Sequence, residues 1–261
     1  MDQDYELLIT TVREAGALAM TYFRRDIDAT NKSDGSPVSE ADLAVDRYLR
    51  EQLTGNGSPH GWLSEETADD LNRLDMRSLW VVDPIDGTRA FLEGSEQWVV
   101  SAALVVDEAP VLAAIYNPVT EELFTARHGM GAFLNNERVA VEDVATVEDA
   151  HIMGSRGMFK KSIWAKPWPE FRRSFVRSIA YRISAVVCGK VNAALSITAL
   201  AEWDIAAATL LMREAGGVIT TLDDTPLTFN KEEVRSHGIV AAGPKLHARL
   251  IDYTKVSTSA S

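Results

Sequence analysis

Asp83-Pro84-Ile85-Asp86-Gly87-Thr88 follows the apolar stretch 79–82, Leu-Trp-Val-Val, and places two carboxylates, a glycine and a hydroxyl within six residues. Pro84 fixes its own φ and cannot donate to a sheet ladder, so the chain is expected to leave a strand after Asp83 and turn. On such a turn Asp83 and Asp86 face one side, where a hard cation such as Mg²⁺ would find oxygen ligands. Gly87 lets an anion approach the backbone. Thr88 would open a helical segment through Ala90 and Phe91 whose free N–H groups attract negative charge. A plainer reading competes, because Asp-Pro and Asp-Gly are ordinary turn dipeptides and Thr is a common helix cap.

Further acids stand at strand and helix ends along the chain. Glu65 and Glu66 follow the short apolar piece 61–63, so Glu65 is expected at a strand end. In Ser39-Glu40-Ala41-Asp42, Ser39 reads as an N-cap and the apolar positions Leu43, Val45, Tyr48 and Leu49 continue a helix. Asp42 is then either a capping-box partner or a catalytic acid. Asp204 falls in the first turn of a helix running from Glu202 toward Gly216-Gly217, where an acid also complements the helix dipole.

Composition narrows the function classes. The chain has 261 residues, 46% hydrophobic, with a formal net charge of −12. That length suits one large core or two fused lobes. The charge argues against a nucleic-acid or anionic-membrane partner. An acidic cluster that handles an anionic ester needs bound cations to offset the repulsion. The single cysteine, Cys188, excludes an internal disulfide and suits a reducing, cytoplasmic setting. Its apolar surroundings predict a buried structural thiol. The N-terminal residues, acidic at Asp2, Asp4 and Glu6 with Leu7, Leu8 and Val12 in helical register, read as an amphipathic helix and not as a signal peptide. No apolar stretch approaches the ~20 residues of a membrane span.

Periodicity predicts helices near 3–25, 39–53, 180–189, 202–215 and 244–254. Strands are expected at 79–83, 97–106, 110–117, 121–126, 192–197, 217–222 and 238–242, with hairpins punctuated at Gly129, Gly131 and Asn135-Asn136. The Gly-, Pro- and Trp-containing segment 154–171 marks a junction between an N-terminal lobe, 1–153, and a C-terminal lobe, 154–261. Residues 257–261 read as a disordered tail.

Taken together, Glu65-Glu66, Asp83-Pro-Ile-Asp-Gly-Thr88, Trp203-Asp204-x-Ala-Ala and Glu214-Ala-Gly-Gly217 resemble the inositol monophosphatase family in order and spacing. The resemblance extends from the Asp34–Asp42 segment to the C-terminal helix. It implies a layered αβαβα sandwich of the α+β class, a homodimer, lithium sensitivity, and phosphomonoester hydrolysis with two Mg²⁺ ions per site, a third and weaker ion being left open. By the same resemblance Glu65, Asp83 and the Ile85 carbonyl hold one ion, and Asp83, Asp86 and Asp204 the other. Gly87 and Thr88 contact phosphate through backbone N–H groups, Thr88 and Asp42 activate water, and no covalent phosphoenzyme forms. Lys32, where the family often carries a lysine, reads as either a tuning charge or a solvated one.

For the substrate, the resemblance leans toward the bisphosphate nucleotidases of the CysQ type. Inositol-selective members carry an acid at the position that counts back to Ile197. Leu63-Ser-Glu-Glu-Thr-x-Asp-Asp70, Asp86-Gly-Thr-Arg-Ala-Phe91, Ser155-Arg156 and Ser178-Ile-Ala-Tyr-Arg182 look closest to the nucleotidase branch. Arg182 is the candidate contact for a second phosphate, with Arg156 beside it. Inositol 1-phosphate or histidinol phosphate is the alternative substrate. A binding-only regulator of RNA or transcription is the alternative class, and would have no reason to keep the acids.

Overall fold

A computed structural model describes all residues except 33, 34, 56, 70, 161–163, 165 and 255–261. Asp34, Asp70 and the tail 257–261 of the sequence reading lie outside the described residues.

In chain order the elements are α1 (Asp2–Met20), β1 (Ala29–Asn31), β2 (Pro37–Ser39), α2 (Glu40–Thr54), β3 (Gly61–Ser64), β4 (Ser78–Asp86) and α3 (Thr88–Leu92). There follow β5 (Val99–Val106), β6 (Ala109–Asn117), β7 (Glu122–Arg127), β8 (Gly131–Leu134) and β9 (Glu137–Val139). The remainder comprises β10 (His151–Met153), α4 (Arg156–Phe159), β11 (Arg172–Ser174), α5 (Ile179–Val187), β12 (Ala193–Ala201), α6 (Glu202–Glu214), β13 (Val218–Thr220), β14 (Arg235–Ala242) and α7 (Pro244–Thr254). β3 to β9 form a seven-stranded sheet in sequence order. A five-stranded sheet runs β11-β10-β12-β14-β13, and β1 and β2 pair as a small antiparallel ribbon.

Both large sheets are covered on two faces, which explains their long apolar strands. In β5, Val100, Ala102 and Leu104 join Trp80 and Val82 of β4 under α1 and α2. The alternate residues Val99, Ala103 and Val105 meet the central helices α5 and α6. The two-residue period of the strand thus fills two cores. In α6 the run 205–208, Ile-Ala-Ala-Ala, followed by Leu210, Leu211 and Met212, is buried between the sheets, with Ile239 and Ala241 of β14 closing the far side. Val240 and Ala242 point outward onto Leu246, Leu250 and Ile251 of α7. The layers are therefore α1/α2, sheet, α5/α6, sheet and α7, the αβαβα order of the sequence reading.

Several short elements escape periodicity. β10 and β11 have three residues each, too few for a pattern, and pair with each other, β10 also pairing with β12. Because β10 belongs to the five-stranded sheet, we propose that any lobe boundary falls in 140–150 and not at 153/154. The described aromatic residues of segment 154–171 pack together. Phe159, Trp164, Trp168 and Phe171 contact one another, and Trp168 stacks on Tyr253 of α7 with ring centroids 5.0 Å apart.

On α7, His247 is buried, with Nε2 2.9 Å from the Thr220 hydroxyl. Burial holds its pKa below the ordinary 6.5. Folding thus favours the neutral ring, so its contribution is complete above that value and is lost as pH falls beneath it. Relative to His247→Gln, the wild type is expected to lose stability between pH 7 and 5 by up to about 1.4 kcal/mol per pH unit. Urea unfolding at each pH measures the difference, and parallel curves would refute it.

Candidate active site

β4 does not end at Asp83 as the sequence reading expected. It continues to Asp86 through a break in register, Asp83 standing opposite Ser101 and Asp86 opposite Val99. Three steps on β4 match two on β5, which is a bulge, and Pro84 sits where no ladder N–H is required. In an unbroken strand residues three apart face opposite sides. The extra residue cancels that inversion and brings both carboxylates to one cavity of about 310 Å³, which Glu65, Gly87, Thr88 and Asp204 also line. Gly87 has φ 102°, and a Cβ there would stand 2.8 Å from the Gln97 carbonyl oxygen. No other residue fits this corner without strain.

Each acid is held by its own element. Glu65 follows β3, its amide donating to the Val82 carbonyl at 3.3 Å. Asp83 accepts from the Ile85 amide at 3.0 Å. Asp86 accepts from the Ser178 hydroxyl at 2.7 Å and the Ala180 amide at 2.6 Å, so the N-terminus of α5 grips it. Asp204, in the first turn of α6, accepts from the Ala201 amide at 2.7 Å. The dipole reading of Asp204 is therefore correct locally, while its side chain also reaches the cavity.

Asp42 uses both of its carboxylate oxygens. Oδ2 completes the capping box, accepting from Ser39 N at 2.8 Å and from its hydroxyl at 2.6 Å. Oδ1 lies 3.1 Å from the Thr88 hydroxyl, which is also 3.2 Å from the Ile85 carbonyl oxygen. Asp42 and Thr88 are both buried.

The electrostatics are those of crowded negative charge. Burial, then the neighbouring Glu65, Asp86 and Asp204, holds the Asp83 carboxyl well above the usual range. Burial does the same to Asp204, with Asp86 and Glu65 adding to it. Asp86 is pushed up to about 6 by burial despite the donors from α5. Burial likewise raises Asp42. Among the described residues no three His, Cys, Asp or Glu side chains are posed as a closed ligand set, because each acid is turned to a local donor.

Lys32 is not the solvated side chain that the sequence allowed. Its Nζ is 2.8 Å from Glu65 and 2.7 Å from Glu66, the latter carboxyl being nearly inaccessible and pushed up to about 7 by burial. Glu66 thus pairs with Lys32 while Glu65 also lines the cavity.

The two arginines singled out from the sequence separate. Arg156 lines a different groove with Phe159 and Trp168. Arg182 borders a cavity of about 330 Å³ that shares Asp86 and Asp204 with the first one. It is buried, however, with Nε and Nη2 donating to the Val176 carbonyl at 3.2 and 2.7 Å and Nη1 to the Leu195 carbonyl at 3.1 Å. Burial lowers its pKa to about 10. Arg182→Leu would strand both carbonyls and is expected to cost about 2–4 kcal/mol in urea unfolding. A loss under about 1 kcal/mol would show these bonds to be incidental.

Sequence reasoning missed three contributors. Ser178 caps α5, accepting from the Tyr181 amide at 3.0 Å while it donates to Asp86. An N-cap signal before the apolar run 179–187 could have revealed it. Phe175 and Arg177 line both cavities and carry no sequence signal.

Carboxyls raised by burial and then by one another's charge thus crowd one cavity beside the first turns of three helices. Comparisons with known proteins agree on the class. The sequence model of the inositol monophosphatase family matches residues 1–258. The chain is 32% identical over 235 residues to the 3'(2'),5'-bisphosphate nucleotidase CysQ of Aggregatibacter actinomycetemcomitans, covering 87% of each. It is also 32% identical over 234 residues to an inositol monophosphatase of Dictyostelium discoideum, covering 84% of this chain and 85% of that protein. The crystal structure of the extragenic suppressor protein suhB of Bartonella henselae superposes with a TM-score of 0.81 at 26% identity, covering 96% of this chain and 97% of the other. The protein belongs to the inositol monophosphatase family, and so to the metal-dependent phosphoric monoester hydrolases.

Proposed function

We propose that this cavity hydrolyses a 3'(2'),5'-bisphosphate nucleotide, 3'-phosphoadenosine 5'-phosphate being the form that fits best, with Mg²⁺ as the cofactor. The donor chemistry suits that ion, since the hard carboxylates of Glu65, Asp83, Asp86 and Asp204 line one cavity and the raised pKa values of Asp83 and Asp204 mark charge that lacks a counterion. Glu65, Asp83 and the Ile85 carbonyl would hold one ion, and Asp83, Asp86 and Asp204 a second. When bound, such ions lower the pKa of water and neutralise charge on phosphoryl oxygens.

The remaining work falls to this chain's own groups. Thr88, hydrogen-bonded to Asp42, passes a proton from the attacking water to that carboxylate, which burial has made more basic. The amides of Gly87 and Thr88, in the first turn of α3, have no acceptor within the helix and orient a phosphoryl oxygen. The Ser178 cap and the α5 amides keep Asp86 from rotating away. A homodimer in the cytoplasm completes the proposal.

The observation that carries the substrate is the adjoining cavity of about 330 Å³. Ile197 stands in its wall at the position where, by the resemblance, inositol-selective members carry an acid, and Arg177 and Arg182 border it. Phosphate release from 3'-phosphoadenosine 5'-phosphate, inositol 1-phosphate and histidinol phosphate, each with Mg²⁺, tests the proposal. The bisphosphate should show the largest kcat/KM, and a larger value for inositol 1-phosphate would overturn it.

A further inference from the structure

We propose that Phe175 and Arg177 form the leaving-group subsite, Phe175 offering its ring face to a planar base and Arg177, released from Glu93, meeting a second anionic group. This rests on the bisphosphate reading above and replaces Arg182 with Arg177 as the contact that selects it.

Arg182 is buried and spends a bond from each of its three guanidinium nitrogens on backbone carbonyls. Its role is positioning. Through two of those bonds it clamps the Val176 carbonyl from beneath, and its guanidinium lies 4.7 Å from the Phe175 ring centroid. In an extended segment, residues on either side of a clamped one share a face, and Phe175 and Arg177 do border the same two cavities. Phe175 is 48% exposed, a large apolar side chain left uncovered beside a catalytic cavity.

Arg177 is anchored by its backbone and held at its tip by an exposed ion pair. Its amide donates to Gln97 Oε1 at 3.3 Å, while Nη2 pairs with Glu93 at 2.9 Å, both side chains being well exposed. An exposed ion pair of this kind is weak. A phosphate offers a guanidinium two parallel charge-assisted bonds and displaces the carboxylate.

The test compares 3'-phosphoadenosine 5'-phosphate, adenosine 3'-monophosphate and glycerol 2-phosphate in the wild type, Arg177→Gln, Glu93→Gln and Phe175→Ala, with thermal melts confirming folding. In Arg177→Gln the bisphosphate-to-monophosphate ratio of kcat/KM should fall at least about fivefold, through KM. In Glu93→Gln the ratio should rise, which loss of a merely structural ion pair would not produce. In Phe175→Ala both nucleotides should lose at least about fivefold relative to glycerol 2-phosphate. Smaller changes in Arg177→Gln or Phe175→Ala, or an unchanged or lower ratio in Glu93→Gln, would overturn the subsite. The wild-type ranking of substrates alone judges the bisphosphate reading, so the two can fail separately.

Discussion

Asp83→Asn is expected to abolish phosphate release, lowering kcat/KM by about 10³-fold or more, while the metal-free protein becomes harder to unfold. Both effects have one cause. Asp83 is buried where Glu65, Asp86 and Asp204 raise its pKa, so its negative charge is unfavourable until a cation shares it. Asparagine removes the charge with little change of shape and keeps an oxygen to accept from the Ile85 amide. Activity assays with Mg²⁺ and thermal melts in EDTA read the two effects. The wild type should gain more from Mg²⁺ than the variant does, because a ligand that binds only the folded state stabilises it by mass action. Retention of more than about a tenth of wild-type turnover would sink the assignment of Asp83 to the metal site.

Thr88→Ala should lower kcat by about 10²–10⁴-fold with KM changed by less than about threefold, and Thr88→Ser should restore most of the rate. The hydroxyl is 3.1 Å from Asp42, and methyl loss alone does not disturb that path. Asp42→Asn should cost a similar factor, since Asn cannot take the proton. The double variant should be little worse than either single one, as groups acting in one relay are not additive. Because Ser39 also bonds Asp42, a melt of Asp42→Asn separates a loosened α2 from a lost base. Additive losses in the double variant would show that Thr88 and Asp42 act independently.

Much of the layout was legible because long elements carry their own signal. The strands over 99–106 and 109–117 and the helices over 202–214 and 244–254 read directly from apolar runs and caps, since burial on two faces leaves no room for polar residues. Lys32, Ser178, Phe175 and Arg177 were harder. Lys32 acts through Glu65 and Glu66, 33 and 34 residues away, and Ser178 through Asp86, 92 residues away, separations that periodicity cannot sense. The backbone bonds of Arg182 were hidden for a related reason, because a charged residue on a short apolar helix gives no local sign of which partners its nitrogens meet.

From the amino-acid sequence alone came the identity of the acids, the glycine that no side chain could replace, the order of helices and strands, and the family they resemble, all consequences of covalent neighbours and local periodicity. Only the tertiary structure decided that a bulge at Pro84 turns Asp83 and Asp86 to one side, that α5 reaches across to hold Asp86, and that Arg182 is spent on carbonyls. Those outcomes depend on which surfaces pack together. Packing is set by the whole chain competing for one interior, and no short stretch of sequence contains that competition.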